Sequence, residues 1–194
     1  MPKEDFMRPS AGILCVVLVA SSANVAAQDG KKTDPGEEKP KVVRDRVKGS
    51  IHHAGGKSEW QRITGKAKVL DARTLLFEDG TRIPLLLVAP DLDQIGKIDG
   101  SLYPCGKEAA EFLRKLIGDR PVTCFLVKAQ GKWFGYVGDT NIEHAMIING
   151  WALAHHSGMN GAEIIARENK RGLWRGQFID PEEWRAGKRL PGEK

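Results

Sequence analysis

Residues 63–88 read ITGKAKVLDARTLLFEDGTRIPLLLV, and the fold is decided there. Ile63 to Leu70 alternates well enough to read as a strand with one buried face. Thr74 to Phe77 is a second short run of strand formers. Between it and Arg82 stands Glu78-Asp79-Gly80-Thr81, a hairpin turn with glycine where a positive φ is cheap. Arg82 to Val88 is a third strand, and its run Leu85-Leu86-Leu87-Val88 predicts burial.

Downstream, Asp91 to Gly100 reads as a loop rich in Gly and Asp. Lys107 to Ile117 carries Ala109, Phe112, Leu113 and Leu116 at helical spacing, and Gly118 closes it. Val122–Val127 and Lys132–Val137 are two more strands. Ile142–Asn149 is a helix ended by Gly150, with Asp139 or Thr140 as its N-cap, and Ala162–Lys170 is another, ended by Gly172. Pro181 to Lys188 forms a last short turn, with proline at a helix start, and Trp174 and Trp184 pin this segment to the body. The predicted class is α+β: a five-stranded antiparallel barrel with three α-helices. A helix inserted between the third and fourth strands is the layout of an oligonucleotide-binding barrel.

Upstream, residues 1–27 read as a signal peptide for a secreted or periplasmic protein. Lys3 and Arg8 precede the apolar run Ala11–Ala20, and Val25-Ala26-Ala27 fits a cleavage site. The run is shorter than the ~20 residues that span a bilayer, so no membrane span is expected after cleavage. Residues 28–57 are read as a disordered charged linker. Pro35, Pro40 and thirteen charged side chains with few large apolar ones cannot offset the entropy of ordering. The folded domain is placed at 58–194. The net charge of +5 is compatible with a polyanionic partner and too small to establish one.

Cleavage would remove Cys15 and leave Cys105 and Cys124. Two readings stand, a disulfide and two buried thiols; an even pair in an oxidising compartment favours the disulfide.

An ordered set of motifs carries a family resemblance. Val69-Leu70-Asp71-Ala72-Arg73-Thr74, Asp79-Gly80-Thr81-Arg82-Ile83, Ala89-Pro90-Asp91-Leu92-Asp93-Gln94, Cys105 to Ala110, Asn149 to Ala154, and Arg167 to Trp174 with Trp184-Arg185 run in register over much of the domain. Together they resemble the staphylococcal-nuclease (thermonuclease-like) family, exported bacterial type. The resemblance implies metal-dependent hydrolysis of nucleic-acid phosphodiesters, Ca2+ as cofactor, single- or double-stranded nucleic acid as partner, and a monomer by default. Such chemistry needs carboxylates to hold the ion and position water, and arginine forks for the phosphorane charge.

Set against that pattern, the chain departs at most positions. Arg73 falls where a metal-binding aspartate is expected, and Pro84 or Ile83 where the first arginine is expected. Ala89 or Val88 falls at the second metal carboxylate. Asp91 best matches the water-positioning acid, Lys132 the second arginine, and Arg82 lies near the first; these are the catalytic candidates. Asp71 is the remaining metal candidate, and Arg73, Lys128 and Lys132 are the candidates for binding nucleic acid. The Ca2+ ligand positions are not retained. The resulting expectation is a hydrolase fold with activity weakened or lost and a basic binding surface kept. The alternatives are an active Ca2+-dependent nuclease with a rearranged site and an envelope protein-interaction module.

Other polar residues have blander readings. Glu78 and Asp93 read as solvated turn residues, and His144 as a surface residue. His155-His156 reads as a polar loop pair rather than a metal site, because adjacent side chains usually face different ways. No phosphate-cradling glycine loop and no nucleophile–base pair is present.

Overall fold

The structure is a computed structural model that describes residues 42–49, 58–128 and 130–193. Residues 1–27, read above as a signal peptide, most of the expected linker and His52-His53 lie outside the described residues. The fold is mixed α+β with antiparallel sheets, ten strands and four α-helices among the described residues.

Strands β1 (Val43–Gly49), β2 (Ser58–Gly65), β8 (Val122–Val127), β9 (Lys132–Val137) and β10 (Thr140–Asn141) form one sheet in that order. Strands β3 (Ala67–Asp71), β4 (Thr74–Phe77) and β5 (Arg82–Pro84) form a second. The predicted first strand is thus two, divided at Lys66. The β4–β5 turn forms as read: Gly80 has φ 85°, and Asp79 Oδ1 accepts from Thr81 N at 2.9 Å. The Leu85–Val88 run is not continuous strand. Leu85 bridges Trp133 in parallel, with Leu86 N donating to Trp133 O at 2.7 Å, and Val88 bridges Leu153. This run joins the second sheet to β9.

The linker boundary requires correction, because residues 43–49 are strand rather than coil. β1 pairs along its length with β2, from Val43 opposite Thr64 to Gly49 opposite Ser58. Arg62 Nε donates to Asp45 Oδ1 at 2.8 Å, and Arg44 reaches Asp79 and Thr81 of the next turn. Of the charges that suggested a solvated tether, Arg44 and Asp45 are paired on the strand surface.

Helix α1 (Cys105–Ile117) lays Ala109, Ala110, Leu113 and Ile117 on the core. The core also holds Ile63, Leu75, Phe77, Ile83, Val122, Val137 and Met146, each at most 2% exposed. Helix α2 (Ile142–Ile148) is capped by Asn141, whose side chain accepts from His144 N, so neither Asp139 nor Thr140 is the cap. Helices α3 (Asn160–Glu168) and α4 (Pro181–Arg185) follow, making four where three were expected. Among the described residues no helix is long and apolar enough to cross a membrane.

The loop after Val88 contains a hairpin, β6 (Gly96–Ile98) and β7 (Ser101–Tyr103), turned by Asp99-Gly100 with φ 48° and 84°. Buried Gln94 ties three segments together. Its backbone O accepts from Gly106 N at the start of α1, and its Nε2 donates to Ile179 O at 2.6 Å in the C-terminal segment. Contacts at Lys97–Gln177 and Leu173–Gly150 also seat that segment. Trp174 instead meets Phe178 and Arg167, and Trp184 meets Glu193 and Arg189.

The expected disulfide does not form: Cys105 and Cys124 are both free and buried. Cys105 Sγ donates to Gln94 O at 3.2 Å, whereas Cys124 lies in the core on β8 against Gly135. Counting cysteines does not test whether two sulfurs meet.

Candidate functional site

The Asp71-Ala72-Arg73 turn and the Ala89–Gln94 loop bring two expected site residues together. Asp71 Oδ1 accepts from Arg73 N at 2.9 Å, a local bond that holds the turn backbone at Arg73. The Arg73 side chain donates from NH2 to Asp91 Oδ1 at 2.6 Å. The other Asp91 oxygen accepts from Arg185 NH1 at 2.8 Å, and the same nitrogen lies 3.3 Å from Ala89 O. Arg185 arrives on α4, whose first turn is fixed by Pro181 and by Asp180 accepting from Glu182 N.

Asp91 is therefore clamped between two guanidiniums, one on each oxygen. Burial alone would raise its carboxyl; the hydrogen bonds from Arg185 and Arg73 outweigh it and hold the group below the ordinary carboxylate range. An anion so held is a poor base, and each of its oxygens already accepts from a guanidinium. The Ca2+ that the family resemblance implies does not fit these residues. Asp71 is engaged in its turn, Asp91 is engaged on both oxygens, and a cation stands at Arg73 where a carboxylate would be needed.

The remaining expected residues lie elsewhere. Arg82 and Lys128 are exposed, and Lys132 is half-buried at the start of β9. The Leu85–Trp133 parallel bridge brings the end of β5 to the start of β9. Lys128 and Lys132 flank the β8–β9 turn and Arg82 opens β5, while the Arg73 side chain is committed to Asp91. Leading away from Lys132, the outer face of the five-stranded sheet carries Trp60, Phe125, Phe134 and Tyr136. Phe125 and Phe134 stack at 5.3 Å, and Trp60 and Tyr136 meet Phe134 edge-on at 5.9 and 6.0 Å.

Two sets of residues escaped the sequence reading. Arg185 stood within a quoted motif, Trp184-Arg185, but nothing local indicated an acid 94 positions upstream. The second set is Glu143, His155 and His156. The two histidines do not diverge: His155 Nδ1 lies 3.3 Å and His156 Nε2 3.2 Å from Glu143 Oε1. Burial raises the Glu143 carboxyl, opposed by His156. Burial, then the charges of His156 and Lys132, push the His155 imidazole below its ordinary value. A neutral imidazole is the form that donates a lone pair.

No protein-family model matches this chain, and no curated protein matches it.

Proposed function

We propose that this chain is an exported, thermonuclease-like domain with an oligonucleotide-binding barrel that binds single-stranded nucleic acid without hydrolysing it. The Asp91 clamp carries this reading: the acid expected to position water is neutralised by Arg73 and Arg185 in a domain that keeps unpaired cations on its surface. The barrel reading is supported by the serial pairing of β2 with β8, β8 with β9, β9 with the Leu85 run, and β5 with β4 and β3, and by the one-residue link between β2 and β3 at Lys66. The ligand class is supported by the exposed Arg82 and Lys128 and by Lys132 at the start of β9, beside a solvent-side aromatic face. Bases of any sequence stack on aromatic side chains, about 1–3 kcal/mol per base, whereas paired bases are not free to do so.

The test pairs digestion with binding. The purified chain is incubated with single-stranded DNA, double-stranded DNA and RNA in Ca2+, Mg2+ or chelator, and binding is followed by fluorescence anisotropy. The expected result is no cleavage, with single-strand binding that weakens as salt rises and falls at least tenfold in Phe134→Ala and in Lys128→Ala/Lys132→Ala. Metal-dependent cleavage abolished by Asp91→Ala would overturn the loss of hydrolysis. Absence of binding at low salt would overturn the ligand class.

A further inference from the structure

Glu143 occupies the first turn of α2 and is 5% exposed. Its Oε1, and both ring nitrogens of His155, are buried without a hydrogen-bond partner. A buried carboxylate oxygen left unpaired is costly, and such groups call for a ligand or an ion. The donor atoms of Glu143, His155 and His156 all lie within 4.8 Å of one another. Two donors held by one tetrahedral ion at ~2.0–2.1 Å sit about 3.3 Å apart. The Glu143–His155 and Glu143–His156 separations, 3.3 and 3.2 Å, match that edge.

We propose that Glu143, His155 and His156 bind one divalent transition-metal ion of the zinc class, with a fourth position open to solvent on the His156 side. Neighbouring histidines can serve one ion here because they present different nitrogens, the near Nδ1 of His155 and the far Nε2 of His156, toward the same carboxylate oxygen. Their backbone is anchored beforehand: Leu153 N donates to Val88 O at 2.8 Å, and Ala154 N donates to Glu163. Two imidazoles and one carboxylate suit zinc-class ions, whereas Ca2+ takes six to eight oxygens. His156 remains 44% exposed, which gives the ion a route in and leaves room for a water ligand. The site shares no residue with the Asp91 clamp and stands independently of nucleic-acid binding.

The experiment uses the purified chain without a histidine tag, stripped with chelator. It is titrated with Zn2+ by calorimetry and with Co2+ by visible absorption. The expected result is one equivalent bound, with the visible bands of a low-symmetry Co2+ site that Zn2+ bleaches and Ca2+ does not. Affinity falls at least tenfold in His156→Ala, whose exposed side chain can be removed without unfolding the chain, and in Glu143→Gln, which keeps the shape. His52→Ala/His53→Ala binds as the parent does. Absence of saturable binding in the parent would overturn the proposal. So would binding unchanged in both His156→Ala and Glu143→Gln, or binding lost in the His52/His53 variant.

Discussion

Replacing Asp91 by alanine tests the clamp most directly. The wild-type carboxylate accepts from Arg73 at 2.6 Å and from Arg185 at 2.8 Å, with the three side chains 27–31% exposed. A charge-assisted hydrogen bond is worth about 1.5–3 kcal/mol when well shielded. At this exposure, solvent screening reduces each to about 0.5–1 kcal/mol. The substitution also leaves two guanidiniums facing each other and adds a modest repulsion. The sum is a loss of about 2 kcal/mol, or about 4–8 °C in Tm for a domain of this size. The sign with pH follows from the depressed carboxyl. A group whose folded pKa is lowered contributes above its unfolded value, near 3.9, and loses that contribution as pH falls through the folded value. Thermal and urea unfolding followed by circular dichroism at pH 7 and at successively lower pH measures this. The gap between wild type and variant should be widest at pH 5–7 and close below about pH 4. An Asp91→Ala protein as stable as wild type at pH 7, or a gap that does not change with pH, would refute the reasoning.

Three further outcomes are expected. Burial pushes both thiols up to about 12, so Cys105 and Cys124 should resist a thiol reagent in the native protein and react in denaturant, giving two free thiols and no bridge by mass. A side chain at Gly106 would put its Cβ 1.7 Å from Asp91 O, so Gly106→Ala should cost about 3 kcal/mol or more, read as lost soluble yield or an early melt. A chain beginning at Ser58 loses β1 and exposes the edge of β2; at about 0.2–1 kcal/mol per packed cross-strand pair, its urea midpoint should fall by the equivalent of about 2 kcal/mol.

Local chemistry was enough for most elements. The Asp79-Gly80 turn, the apolar stripe of α1, and strands β4, β8 and β9 were legible because each depends on periodicity and turn preference within a few residues. So was the cation at position 73, since one residue's charge needs no coordinates. β1 was missed because charge density imitates a linker until the partner strand is known. The disulfide was wrongly expected because counting two cysteines does not place them. The sequence by itself determined the mixed α+β class of the fold and the positive charge at Arg73. Only the tertiary structure decided what Asp91 is bound to, and that His155 and His156 converge on one buried glutamate. The physical reason is range: a strand or turn is specified by neighbours along the chain, whereas the clamp joins residues 73, 91 and 185, and the glutamate–histidine cluster joins α2 to the loop after Ala154. Those distances exist only after the core has closed and the C-terminal segment has docked through Gln94.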